Sequence, residues 1–182
     1  MGTTGPRTTV IALGSVLMAD DAVGAHVLRR LEAGHELPPE VELLDLGTPG
    51  PELANHLEGL EAVVFVDTIH LPGAQPGEVH LLRRAEILRG HQPLRLSPHD
   101  PSLRGALVEA DLLGRAPSEV LLVGVVPADT HLGLGLTPAV AAALPRAVAE
   151  VAAELRRLGH GAPHREAPLP VDLWWEKPAP QP

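Results

Sequence analysis

Four residues of this 182-residue chain combine a reactive type with a telling position: Asp20, Asp21, Asp67 and His99. Asp20 and Asp21 follow the first apolar run. Asp67 ends the third. His99 closes Ser97-Pro98-His99, just before an Asp100-Pro101 helix start. In an open parallel sheet, ligands bind outside the carboxyl ends of the strands, so these carboxylates and this imidazole are expected at one edge. Carboxylate oxygen and imidazole nitrogen suit a borderline divalent ion such as nickel, zinc, manganese or iron. Each residue also has a plainer reading. Asp20 and Asp21 could cap a helix, Asp67 could cap whatever follows it, and His99 could be an ordinary loop histidine. His131, in the stretch before Gly133-Leu134-Gly135, could reach the same edge. The remaining histidines, His26, His35, His56, His70, His80, His91, His160 and His164, read as solvated surface.

The elements that must hold these residues alternate. Thr8–Leu13 is a β-branched run ending in Gly14 and reads as a buried strand. Val23, Val27, Leu28 and Leu31 space a helix that starts at Asp20-Asp21 and stops near Gly34, with Pro38-Pro39 barring continuation. Val41–Leu46 is a second strand, followed by a short helix around Glu52–Leu57. Ala62–Val66 is the most apolar strand, and Gly77–Leu82 is a fourth, at an edge. A helix runs from Asp100-Pro101 to about Leu113, Glu119–Val125 is a fifth strand, and Thr137-Pro138 opens the longest helix, to about Leu158. Strands alternating with helices imply crossovers and an α/β fold with a mostly parallel sheet covered on both faces. Residues 1–158 form one domain on this reading. Residues 159–182 are Pro-rich and read as an extended or disordered tail, with Trp174-Trp175 as a contact for the body or for a partner.

Composition excludes whole classes of function. The chain has no Cys, which removes disulfides, thiolate metal sites and a Cys nucleophile. The formal charge is −9, Lys177 is the only lysine and the arginines are scattered, so no nucleic-acid face is expected. No apolar run approaches the roughly 20 residues of a membrane span, and no signal peptide is apparent; a cytoplasmic protein without a membrane partner is expected. The loop Gly14-Ser15-Val16-Leu17-Met18 is not a dinucleotide fingerprint. There is also no P-loop, no H-E-x-x-H and no G-x-S-x-G.

The run Gly14-Ser15-Val16-Leu17-Met18-Ala19-Asp20-Asp21-Ala22-Val23-Gly24 resembles the N-terminal signature of the hydrogenase maturation proteases. Further blocks follow in the family's order: Asp45-Leu46-Gly47-Thr48-Pro49-Gly50, Val66-Asp67, Ser97-Pro98-His99, Gly124-Val125-Val126-Pro127 and Gly135-Leu136-Thr137-Pro138. The resemblance implies a three-layer α/β/α fold with a twisted five-stranded sheet. It implies a catalytic, metal-contacting triad of Asp21, Asp67 and His99. It also implies an endopeptidase that senses nickel already inserted in the precursor of a nickel–iron hydrogenase large subunit and then removes a short C-terminal peptide. The nickel is then carried by the substrate rather than resident in the enzyme, which is expected to be a monomer. If the metal polarises the scissile carbonyl, Asp20 is a candidate base; if it only licenses docking, no such base is required. The sequence departs from the family's Gly-x-Gly-Asn with Ala12, Gly14 and Ser15, and Ala22 stands at a frequent Gly. A related metal-dependent α/β peptidase with another substrate, or a non-catalytic nickel-binding module, would share these features.

Overall fold

The computed structural model describes residues 8–89 and 103–177. Five strands, β1 (Thr8–Leu13), β2 (Val41–Gly47), β3 (Ala62–Thr68), β4 (Val79–Arg83) and β5 (Glu119–Val125), form one sheet in the order β2-β1-β3-β5-β4. All neighbours are parallel except β4, which runs antiparallel to β5 at the edge. The helices are α1 (Val23–Gly34), α2 (Arg84–Arg89), α3 (Leu103–Leu112) and α4 (Pro138–Arg157), with a 3-10 turn at Ala19–Ala22 and a 3-10 helix at Gly50–Leu57.

The inner strands are apolar along their length because both faces are covered. Val10 and Ala12 of β1, Val64 and Val66 of β3, and Leu121 and Val123 of β5 pack with α1 and α4. Their neighbours Ile11, Leu13, Val63, Phe65, Val120 and Leu122 face the Gly50–Leu57 helix, α2 and α3. The period of two thus feeds two cores, and the fold is the three-layer α/β/α expected. Helix α2 is an element the sequence pattern does not reveal: six residues with only Ile87 buried carry no helical period. The start of the Asp100-Pro101 helix lies outside the described residues. The edge strand β4 is tied down by a buried charge. Glu154 of α4 accepts hydrogen bonds from Arg83 at the end of β4 and from Arg157. Burial alone would raise the Glu154 pKa, but the hydrogen bonds from Arg157 and Arg83 outweigh it and hold it at about 2.

Residues 163–169 run extended along α1. Glu36 N–H donates to the Pro163 carbonyl at 2.9 Å, Arg165 N–H to Gly34 and Leu169 N–H to Ala33, also at 2.9 Å. Trp175 is buried, and its indole meets the His26 ring edge-on at 5.2 Å; Trp174 stays exposed. The expectation of solvated surface therefore fails at His26 and His35, both 3% exposed. Neither lies on an exposed helix face, because the tail supplies a cover that the helix's own pattern does not announce. His26 Nδ1 accepts from Arg30 Nη1 at 3.1 Å, so Nε2 carries the ring proton and faces Glu176 Oε1 at 3.4 Å. Burial, and then the Arg30 charge, lower the His26 pKa to about 4. Burial and the neighbouring His164 ring lower that of His35.

His26 makes the fold sensitive to acid. Above its ordinary pKa of 6.5 the ring is neutral whether the chain is folded or not. As pH falls from 6.5 towards 4, the unfolded chain takes up the proton and the folded chain does not, so stability drains across that window. Thermal melts of wild type and His26→Gln should diverge there, the variant losing less Tm per pH unit. Parallel curves would assign the acid sensitivity to other groups.

Candidate functional site

The chain leaves β1 in one direction to form β2 and returns to place β3 on the other side of β1. The boundary between β1 and β3 is thus a topological switch point, where the crossovers depart on opposite faces and a crevice opens at the carboxyl edge. Asp21 follows β1 and Asp67 lies one residue from the end of β3, so both face this crevice by topology.

Two glycines let the chain close in there. Gly14 has φ +102°, and a Cβ on it would lie 2.0 Å from the Asp21 carbonyl oxygen, so the loop folds back on itself only with glycine at this position. A Cβ on Gly24 would lie 2.5 Å from the Leu13 carbonyl and 2.7 Å from that of Val66. The first turn of α1 therefore rests directly on the ends of β1 and β3. The strand pairing slips between Ala12 and Leu13, where Leu13 pairs with Gly47, and Gly14 N–H reaches the Gly47 carbonyl at 2.9 Å. Such irregularities re-aim a strand end beside a site.

Asp21 Oδ2 accepts from Ser15 N–H at 2.7 Å, and its Oδ1 accepts from Thr68 Oγ1 at 3.1 Å. Asp67 Oδ1 accepts from Thr68 N–H at 2.7 Å. Both carboxylates are buried, and Thr68 holds both, one through its hydroxyl and one through its main chain. Sequence reasoning passes over Thr68; its signal is a β-branched hydroxyl directly after an Asp that closes an apolar strand. Ser15, which stands at the family's Asn, gives its N–H to Asp21, while its hydroxyl accepts from Leu17 N–H at 3.3 Å in a local turn. Two neighbouring buried carboxylates repel one another, and a cation relieves that repulsion. His99 lies outside the described residues. Among the described residues no group of three His, Cys, Asp or Glu gathers to hold a metal ion. The donor set on view is thus two carboxylate groups.

Asp20 behaves differently. It is fully buried, and its Oδ2 accepts from Ala128 N–H at 2.8 Å, Asp129 N–H at 3.0 Å and Thr137 Oγ1 at 2.9 Å, while Oδ1 accepts from Thr137 N–H at 2.7 Å. It is therefore not a free carboxylate, and the role of base does not fall to it: its acceptor positions are committed to the β5–α4 loop. Neither aspartate caps α1, whose N-cap is Ala22 with no side-chain bond. His131 rides on that same loop, but its ring turns to solvent and its Nδ1 lies 2.7 Å from Asp129 Oδ1. The His131 main-chain N–H, and then its ring, hold Asp129 below the usual carboxylate range.

The structure thus brings an aspartate pair, Asp21 and Asp67, to the central crevice of a mostly parallel α/β/α sheet. The hydrogenase maturation protease family matches residues 25–154. The chain is 34% identical to the hydrogenase 2 maturation protease of Escherichia coli K12 over 161 residues, 88% of this chain and 98% of that one. It is 34% identical to the hydrogenase expression/formation protein HupD of Rhodobacter capsulatus over 154 residues, 84% of this chain and 73% of that one. The solved structure of the hydrogenase-maturating endopeptidase HybD from E. coli superposes with a TM-score of 0.79 at 33% identity, covering 87% of this chain and 98% of that one. The chain belongs to the hydrogenase maturation proteases and is an endopeptidase of that family.

The two adjacent aspartates should separate on mutation. Asp20→Ala leaves two main-chain N–H groups of one loop and the start of α4 without their acceptor. It is expected to cost about 2–4 kcal/mol in denaturant unfolding, with amide exchange quickened over residues 128–137. Asp21→Asn keeps the shape and one acceptor oxygen and should stay within about 1 kcal/mol of wild type. Equal costs for the two would contradict the division of roles.

Proposed function

We propose that this endopeptidase removes the C-terminal extension of a nickel–iron hydrogenase large-subunit precursor after nickel insertion, with Asp21, Asp67 and His99 as the residues that meet the substrate's nickel. The observation that carries the reading is the joining of Asp21 and Asp67 through Thr68 at the β1–β3 crevice, in a chain of this family. His99 completes the set on the strength of its Ser97-Pro98-His99 motif. Two carboxylates and a neutral imidazole, with no thiolate, bind a free ion only moderately and leave positions open for one already held by other ligands. Recognition of nickel and recognition of the precursor then become one event, and selectivity is the difference in binding between loaded and empty precursors.

In hydrolysis the C–N bond breaks as water adds to the carbonyl carbon. The water's proton passes to a carboxylate of the Asp21–Asp67 pair and then to the leaving amine. A nickel ion bound beside the scissile carbonyl would supply Lewis-acid polarisation of its oxygen. Thr68 fixes the orientation of both carboxylates, so neither must reorganise when substrate arrives. The formal charge of −9 supports a partner that is not nucleic acid. No helix among the described residues is long and apolar enough to cross a membrane.

The test is incubation of purified enzyme with nickel-loaded and nickel-free precursor, followed on gels. Cleavage is expected only for the loaded form, and protein purified without added metal should contain well under one equivalent of any transition metal. Activity that disappears on chelator treatment of the enzyme alone and returns only with zinc would make the chain an ordinary metallopeptidase. Asp67→Asn and His99→Ala should each lower cleavage at least about 10³-fold while circular dichroism stays native; full cleavage by either removes it from the site.

A further inference from the structure

Three large apolar side chains stand in solvent beside the crevice: Leu17 at 55% exposure, Leu132 at 82% and Leu134 at 60%. They belong to two loops that the structure binds into one piece. Met18 pairs with Gly133 in a parallel bridge. Ala19 N–H donates to the Gly133 carbonyl at 2.8 Å, and Gly133 N–H donates to that of Leu17 at 2.9 Å. Asp20 anchors the base of the second loop with its four hydrogen bonds. The leucines are therefore not on a floppy excursion. Leu136, two residues further on, turns inward and packs on the core, so outward placement is particular to positions 132 and 134.

Large apolar groups held rigidly in water next to a site mark a contact for another molecule. The position relative to the carboxylates says which. Leu17 precedes Asp21 by four residues in the same loop, so their Cα atoms lie within about 14 Å even if the chain between were fully extended. A polypeptide whose scissile bond sits at Asp21 and Asp67 thus has Leu17 within reach of its side chains about four residues from the cut.

We propose that Leu17, Leu132 and Leu134 form a specificity surface for the precursor polypeptide, receiving apolar side chains that flank the scissile bond. The occupant is substrate chain, since the surface is continuous with the loop that carries Asp21. This rests on the processing activity proposed above and adds to it the determinant of sequence preference.

The test is the affinity of nickel-loaded precursor for the enzyme, measured on an Asp67→Asn background so that the chain stays uncut. A second arm measures cleavage by enzyme with Asp67 intact. Replacing the three leucines with serine is expected to weaken binding at least about tenfold, and with Asp67 intact to raise KM while kcat stays within about twofold. Tm should be unchanged because all three side chains are exposed. Leu112→Ser, 83% exposed on α3 near the amino edge of the sheet, should change neither measurement. Serine replacements of apolar precursor residues within four positions of the cut should reproduce the loss without adding to it. Unchanged affinity and KM in the triple variant overturn the proposal while leaving the processing activity standing. Failure of the Asp67-intact enzyme to cut loaded precursor overturns that activity instead, and the binding arm then still decides the leucine surface. A wild-type dimer in sedimentation that the triple variant dissolves would give the leucines to a second copy of the chain and also overturn the proposal.

Discussion

A single buried carboxylate, that of Asp20, holds the carboxyl edge of the sheet together. A charge with no solvent is tolerable only when its acceptor positions are filled. Here four donors fill them, two of them on Thr137 at the start of α4, where the helix dipole adds attraction for an anion. The consequence is mechanical. The loop after β1 and the loop after β5 cannot move independently, because separating them strands a carboxylate and main-chain N–H groups together. The same tie supports the local strain at Ala19, which sits at φ +45° without being glycine. Such a conformation persists only when its surroundings over-determine it, and the hydrogen bond from Ala19 N–H to Gly133 and the anchor at Asp20 do so.

Asp20 and Asp21 are neighbours of identical chemistry with opposite duties. In the 3-10 turn their side chains leave in different directions, Asp20 towards the β5–α4 loop and Asp21 towards Thr68 on β3. Environment alone separates a carboxylate that is structural from one that faces the crevice. The separation also explains how Ser can stand at the family's Asn. What Asp21 takes from position 15 is its main-chain N–H, which any residue other than proline supplies.

Legibility in the sequence followed the range of the interactions. Strands β1, β3 and β5 can be read because burial on both faces gives each an apolar run, while β4 spans Val79–Arg83 rather than the expected Gly77–Leu82, since Val-His-Leu-Leu-Arg carries no clean alternation to mark its ends. The position of Asp21 and Asp67 at one edge followed from topology alone. The role of Asp20 did not, because its partners lie 108 to 117 residues away and no local pattern encodes them. Helix α2 was too short to show a period. The burial of His26 and His35 escapes the sequence for a related reason: a helix pattern reports which face meets the sheet, but not that a Pro-rich segment more than a hundred residues later covers the other face.

The glycine at position 24 shows how narrow the remaining freedom is. Strand order opens a crevice between β1 and β3, but strand order does not set its depth. That is set by how closely α1 approaches, and α1 rests on the carbonyls of Leu13 and Val66 with no room for a Cβ between. Since α1 begins two residues after Asp21, any outward shift of the helix carries Asp21 away from Thr68. The hydrogen bond between them is 3.1 Å long, close to the limit of useful geometry. A missing methyl group on one face of α1 is therefore part of what keeps the two carboxylates on a shared threonine, although Gly24 touches neither of them.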